Sequence, residues 1–147
     1  MQYQEKQQDL FATPPEYYLV HCISADFAMG AGIAVQFNRQ FSMRDKLRAA
    51  FPDYLADWQV QGRSYDCLLE ERVFNLITKE RYYQKPTYQS LEGALKLMQK
   101  ICRQRHIRLL AMPLIGCGLD KLQWPEVSAM IKTLFAQDDL EILVCIK

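Results

Sequence analysis

No stretch of this chain reaches the roughly 18 consecutive apolar residues that a membrane-spanning helix needs. The opening residues, Met1-Gln2-Tyr3-Gln4-Glu5-Lys6-Gln7-Gln8, are polar, so no secretory signal is expected. An excess of one charge is also missing. Eighteen Lys and Arg stand against 17 Asp and Glu, a net +1 that excludes a broad basic field for wrapping nucleic acid nonspecifically. Glycine and proline are scarce, six of each in 147 residues, which argues against low-complexity disorder. The five cysteines (Cys22, Cys67, Cys102, Cys117 and Cys145) are odd in number and contain no Cys-x-x-Cys pair. Reduced thiols in a cytosolic, cytoplasmic protein are the expectation. With only His21 and His106 to join them, no metal site is expected.

What is present is an ordinary globular composition, 50% hydrophobic and 24% charged. One domain over residues 1–147 is expected from the length. A folded chain of this size buries about 70% of its unfolded surface, enough for a core without metal or disulfide staples. Compact runs of branched and aromatic residues predict buried strands at Tyr17–Ile23, Val73–Thr78, Leu109–Met112 and Ile142–Ile146, with a weaker one at Tyr65–Leu69. Between them, Leu91, Ala94, Leu95, Met98, Ile101 and Cys102 follow helical spacing after Pro86, with Thr87 as a cap. Trp124–Phe135 repeats that pattern, and Gly32–Phe41 and Arg44–Phe51 are further helices. Strands alternating with helices predict an α/β fold whose sheet is covered on both faces and mostly parallel at its centre. Ligands in such folds bind beyond the carboxyl ends of the strands.

Four of the six glycines fall in two Gly-x-Gly tripeptides, Gly30-Ala31-Gly32 and Gly116-Cys117-Gly118, each between a predicted strand and a helix. Glycine there lets backbone N–H groups approach an anion, and a following helix N-terminus adds its positive pole. The sterics of a strand-to-helix turn explain either loop alone; their repetition favours a diphosphate clasped from both sides. No Gly-x-x-x-x-Gly-Lys-Ser/Thr loop exists, and Val35 stands where a dinucleotide fingerprint needs Gly or Ala. Lys79 follows a buried run directly, and Asp120 closes the second glycine loop. A lysine amine near apolar walls can act as a nucleophile and a nearby carboxylate can take a proton. Read alone, the two residues better suit a solvated strand end and a helix or turn cap. His21, Ser24 and Asp26 invite a hydrolase triad, but no Gly-x-Ser-x-Gly elbow is present and such short spacings rarely assemble one. Tyr82, Tyr83 and Tyr88 flank Lys85-Pro86 and are able to stack on a base or ribose or to cover the start of a helix. Arg39, Arg44, Lys46 and Arg48 read as a solvated helix face.

Six blocks occur in order: His21-Cys22-Ile23-Ser24, Met29-Gly30-Ala31-Gly32-Ile33-Ala34, Leu76-Ile77-Thr78-Lys79, Lys85-Pro86-Thr87-Tyr88, Met112 to Asp120, and Leu122-Gln123-Trp124. Together they closely resemble the macrodomain family and, within it, the terminal ADP-ribose protein glycohydrolase branch. The likeness runs from about Asp9 to the last residue. It implies a three-layer α/β/α macrodomain with a central mixed sheet and a pocket for ADP-ribose. It further implies that Lys79 attacks the distal ribose while Asp120 accepts a proton, and that Asp9 and Leu10 hold the adenine. Ligand contacts are implied at Ser24, Met29, Gly30, Ala31, Gly32 and Ile33, at Leu114, Ile115, Gly116, Cys117, Gly118 and Leu119, and at Lys147. Two departures stand out. Gln8 replaces a glycine before the Asp-Leu pair, and Leu114 replaces an arginine. The resemblance implies a hydrolase that removes ADP-ribose from glutamate or aspartate side chains without a cofactor. Its partners would be ADP-ribosylated proteins, with ADP-ribosylated nucleic acid as the alternative acceptor. A module that only reads ADP-ribose is the rival from another class. A monomer away from membranes is expected.

Overall fold

The structure, a computed structural model, describes residues 1–147. Six strands form one sheet: β1 (Gln2–Gln7), β2 (Tyr18–Ser24), β3 (Asp66–Glu70), β4 (Val73–Lys79), β5 (Leu109–Met112) and β6 (Glu141–Ile146), in the order β1-β6-β5-β2-β4-β3. All neighbours are parallel except β3, which runs antiparallel to β4. Five helices cover it: α1 (Ile33–Phe41), α2 (Met43–Ala50), α3 (Tyr54–Gln61), α4 (Tyr88–Arg105) and α5 (Trp124–Leu134).

Side-chain alternation sorts the strands into two cores. Val20, Phe74, Leu76, Leu110, Met112, Ile142 and Val144 face α4 and α5. Their neighbours Leu19, Ile23, Val73, Ile77, Ala111 and Cys145 face α1, α2 and α3. The result is the expected three-layer α/β/α architecture with a mixed sheet. The run at Leu109–Met112 forms its strand as read. Thr87 caps α4 in a reciprocal box, its Oγ1 accepting from Ser90 N at 2.9 Å while Ser90 Oγ accepts from Thr87 N at 3.0 Å.

Two elements depart from the sequence reading. Gln2–Gln7 is a strand although its residues are polar, because β1 is an edge strand paired only with β6 and largely exposed. Tyr54–Gln61 is a helix that buries only Tyr54 and Trp58, one turn apart, too few apolar positions to betray a period.

One polar pair is sealed in the centre. His21 and Asn75 are opposite each other on β2 and β4, and both are fully buried. Asn75 donates to the Leu68 carbonyl at 3.1 Å, so its Oδ1 takes the His21 Nε2–H at 2.6 Å. The imidazole stacks on Phe37 at 3.8 Å between centroids. Burial holds its pKa down to about 4, against an ordinary value of 6.5. The unfolded chain therefore takes up a proton that the folded chain refuses. The stability this contributes is complete above pH 6.5 and is lost as the pH falls towards 4. Urea unfolding should show His21 costing about 2 kcal/mol between pH 7 and pH 5. His21→Gln, which keeps a donor near Asn75 and does not titrate, should lack that component. An unchanged pH dependence in the variant would contradict this account.

Candidate active site

A cavity of about 850 Å³ opens at the carboxyl ends of the central strands. Its walls are the end of β2, the loop from Ala28 to Gly32, the first turn of α1, Lys79, Tyr82, Lys85, and the loop from Pro113 to Asp120. The two glycine loops, 86 residues apart from Gly30 to Gly116, meet above it. A Cβ placed on Gly32 would lie 3.5 Å from a methyl of Leu119.

The first loop is strained and tightly held. Phe27 and Met29 both adopt left-handed backbone angles, with φ of 52° and 49°, a conformation that costs non-glycine residues of order 1 kcal/mol each. Arg44 Nε donates to the Phe27 carbonyl at 3.0 Å, and Asn38 Nδ2 donates to that of Met29 at 3.1 Å. The Phe27 ring stacks on Tyr54. Gly32 then starts α1 at φ 62° with no side-chain cap. The uncapped N–H groups of α1 and its positive pole can therefore receive an anion.

The second loop is built from short backbone bonds. Cys117 N reaches the Leu114 carbonyl at 3.1 Å, and Leu122 N reaches that of Gly116 at 2.8 Å. Gly116 has φ 73°, and a Cβ there would press on Leu122 at 3.1 Å. Gly118 has nothing within 4 Å of such a Cβ. The helix behind this loop begins at Trp124, where its periodicity places it, and a turn intervenes, with Lys121 N bonded to the Gly118 carbonyl. The helix pole is thus a feature of the first loop alone. Lys85 Nζ anchors the turn by donating to the Leu119 carbonyl at 2.7 Å.

Between the loops lies an ion pair. Lys79 Nζ stands 2.6 Å from Asp120 Oδ1, with the side chains only 12% and 15% exposed. A slip in the sheet delivers the lysine. Ile23 opposes Ile77, but Ser24 opposes Lys79, so Thr78 is an extra residue in β4. Its buried hydroxyl has no partner. A bulge of this kind re-aims the next side chain.

The other site candidates divide cleanly. Ser24, Met29 to Ile33 and Leu114 to Leu119 all line the cavity. Asp9, Leu10 and Lys147 do not. Asp9 caps a single 3-10 turn through Phe11 N at 3.0 Å, and its other oxygen lies 3.8 Å from Lys147 Nζ. Leu10 is buried in the core under α1. Both ends sit past β1 and β6, on the rim where the parallel strands finish. The triad does not form: His21 is committed to Asn75, and Ser24 donates to Asp26. The basic stretch is partly used in structure, Arg44 on Phe27 and Lys46 on Glu71. Burial pushes the Cys22 and Cys117 thiols upward, which keeps them protonated beside the ion pair. Sequence reading did not single out Lys85 as part of the site, although it lines the cavity. For Lys85, the available signal was its place directly before the Pro-Thr that starts α4.

No group of three or more His, Cys, Asp or Glu side chains is placed to hold a metal, and no helix is long and apolar enough to cross a membrane. No family model matches the chain. Among curated proteins, it is 41% identical to the ADP-ribose glycohydrolase OARD1 of Homo sapiens over 140 residues, 92% of this chain and 86% of that protein. It is 32% identical to the DNA ADP-ribosyl glycohydrolase of Thermus aquaticus over 137 residues, 88% of this chain and 37% of that longer protein. Among solved structures, the macrodomain of Thermus aquaticus DarG superimposes with a TM-score of 0.73 at 25% identity, covering 97% of each chain. These likenesses extend over nearly the whole sheet and both glycine loops, and with them the chain belongs to the macrodomain family, as a hydrolase of its terminal ADP-ribose glycohydrolase branch.

Proposed function

We propose that the chain binds ADP-ribose in this cavity and releases it from ADP-ribosylated substrates, the preferred bond being an ester to a glutamate or aspartate side chain. The observation that carries the reading is the Lys79–Asp120 pair inside the cavity wall. A module that only reads ADP-ribose has no need of a lysine amine and a carboxylate held together at the end of its pocket. In this reading the diphosphate lies between the Gly30–Gly32 and Gly116–Gly118 loops, and the distal ribose lies against Ser24 and Lys79. The adenine extends towards Asp9, with Leu10 beneath it and Lys147 beside it. Four strand spacings separate β1 from β4, about 19 Å, a span suited to an extended nucleotide sugar. The other ligand contacts that the resemblance implies would lie along this path.

Lys79 Nζ first passes a proton to Asp120. The free amine attacks the anomeric carbon of the distal ribose. The bond from that carbon to the acyl oxygen breaks, and the carboxylate leaves with the bonding pair. The nitrogen's proton then passes to the ring oxygen as its bond to the anomeric carbon breaks, leaving a protonated lysine–sugar Schiff base. Water adds to that carbon and its proton passes through Asp120 to the departing amine, and the ring recloses as ADP-ribose is released. An acyl carboxylate is a good leaving group, so the step needs no Lewis acid. Lys79→Ala should lower turnover of an ADP-ribosylated peptide roughly a thousandfold or more while ADP-ribose still binds in calorimetry. Arginine should not rescue it, because a guanidinium stays protonated. An active Lys79→Ala protein would leave Asp120 acting on water and would remove the proposed nucleophile.

A second acceptor class has its own observation. Tyr82, which lines the cavity with Lys85, and Tyr83 are 65% and 66% exposed and pack edge to face, directly after Arg81 in the chain. Exposed rings with neighbouring cations suit a stacked nucleobase, and a relative is named a DNA ADP-ribosyl glycohydrolase. If nucleic acid is an acceptor, Tyr83→Ala should slow release from an ADP-ribosylated oligonucleotide about tenfold or more and leave a peptide substrate unaffected. Equal rates on the oligonucleotide would remove this reading.

A further inference from the structure

Asp26 lies outside the cavity wall, yet both its oxygens are occupied by donors from three segments around the site. Oδ1 accepts from Ser24 Oγ at 2.5 Å and from Ala28 N at 3.1 Å. Oδ2 accepts from Tyr82 N at 3.1 Å. The carboxylate thus joins the end of β2, the first glycine loop and the segment that follows Lys79. The backbone repeats the link, with Ala25 N on the Lys79 carbonyl at 2.9 Å and Asp26 N on that of Glu80 at 3.1 Å.

The consequence falls on Ser24. A hydroxyl has one proton to donate and two lone pairs to accept with. The Ser24 proton is committed to Asp26, a partner that only accepts. Ser24 is itself in the cavity wall, and its register partner across the sheet is Lys79. Towards the cavity, then, Ser24 is an acceptor and nothing else. Phosphate and carboxylate oxygens offer it no proton, whereas a sugar hydroxyl does.

We infer that Asp26 is a positioning residue that fixes Ser24 as an obligate acceptor for a hydroxyl of the distal ribose, so that the site selects ADP-ribose over ADP and turns the sugar's anomeric carbon to Lys79. This rests on the ADP-ribose reading given above and adds to it the group that reads the sugar. Without Asp26 the Ser24 hydroxyl is free to rotate its proton into the cavity, and the discrimination is lost.

The test measures binding of two ligands that differ only in the distal ribose, ADP-ribose and ADP, by calorimetry. Wild-type protein should prefer ADP-ribose. Asp26→Ala should weaken ADP-ribose about tenfold, the size of one charge-assisted hydrogen bond, and leave ADP unchanged. Ser24→Ala should do the same, and the double variant should be no worse than either single one. Asp26→Asn retains the shape but offers one acceptor oxygen for three donors, so it should fall in between, and it guards against a failure of Asp26→Ala to fold. A merely structural Asp26 gives a different pattern: equal losses for ADP and ADP-ribose, or a further full loss when Asp26→Ala is added to Ser24→Ala. Either pattern overturns the inference, as does an Asp26→Ala protein with wild-type affinities. A wild-type protein that binds neither ligand removes the ADP-ribose reading itself.

Discussion

Thr78 is one residue more than the ladder between β2 and β4 can pair, and the geometry of the site follows from it. Up to Ile77 the two strands run in register and their side chains alternate between the two cores. In a regular strand Lys79 would share the face of Val73, Asn75 and Ile77. The slip releases it from that alternation at the strand's last residue, where it reaches Asp120 across the cavity. The bulge leaves a buried hydroxyl without a partner, a cost that regular pairing would not carry. The central His21–Asn75 pair, two residues before the slip on each strand, locks the register up to that point through a buried hydrogen bond that no shifted pairing preserves.

The loops divide the remaining work. The first supplies an uncapped helix start and is held in left-handed turns by Arg44, Asn38 and Asp26. The second supplies Asp120 on a turn anchored by Lys85. Leu119 leans across to Gly32, so the two loops form the roof of a single cleft. Arg44 and Asn38 hold this roof from outside the cavity wall. The short segment between β4 and α4 touches both loops, through Tyr82 N to Asp26 and Lys85 to Leu119. The side chains that would meet an acceptor are therefore continuous with those that hold the cleft.

What the sequence made legible follows from where water is excluded. Strands buried on both faces appear as apolar runs, so β2, β4, β5 and β6 were readable. The edge strand β1 was not, because Gln2, Gln4 and Lys6 carry no period against solvent. Lys79 and Asp120 were suspect from their places at a strand end and behind a glycine loop. Their contact was not legible, since it joins residues 41 apart through a register slip that leaves no mark in composition. In sequence, Asp26 stands beside His21 and Ser24 in a grouping that invites a triad but lacks its elbow motif. The alternation of the strand defeats that grouping: His21 points into the core with Phe37, and only Ser24 meets Asp26. Asp9 and Lys147 were suggested by resemblance alone, and the fold brings their side chains to 3.8 Å at the ends of β1 and β6.

The central claim is that the Lys79 amine becomes covalently joined to the sugar. Borohydride added during turnover reduces a lysine–sugar Schiff base to a stable amine, and peptide mass spectrometry then locates it. The account predicts ADP-ribose fixed to the peptide containing Lys79, enriched when Asp120 is replaced by alanine and release of the adduct is slowed. Label that appears on other lysines, or no label in a protein that is turning over substrate, would contradict it.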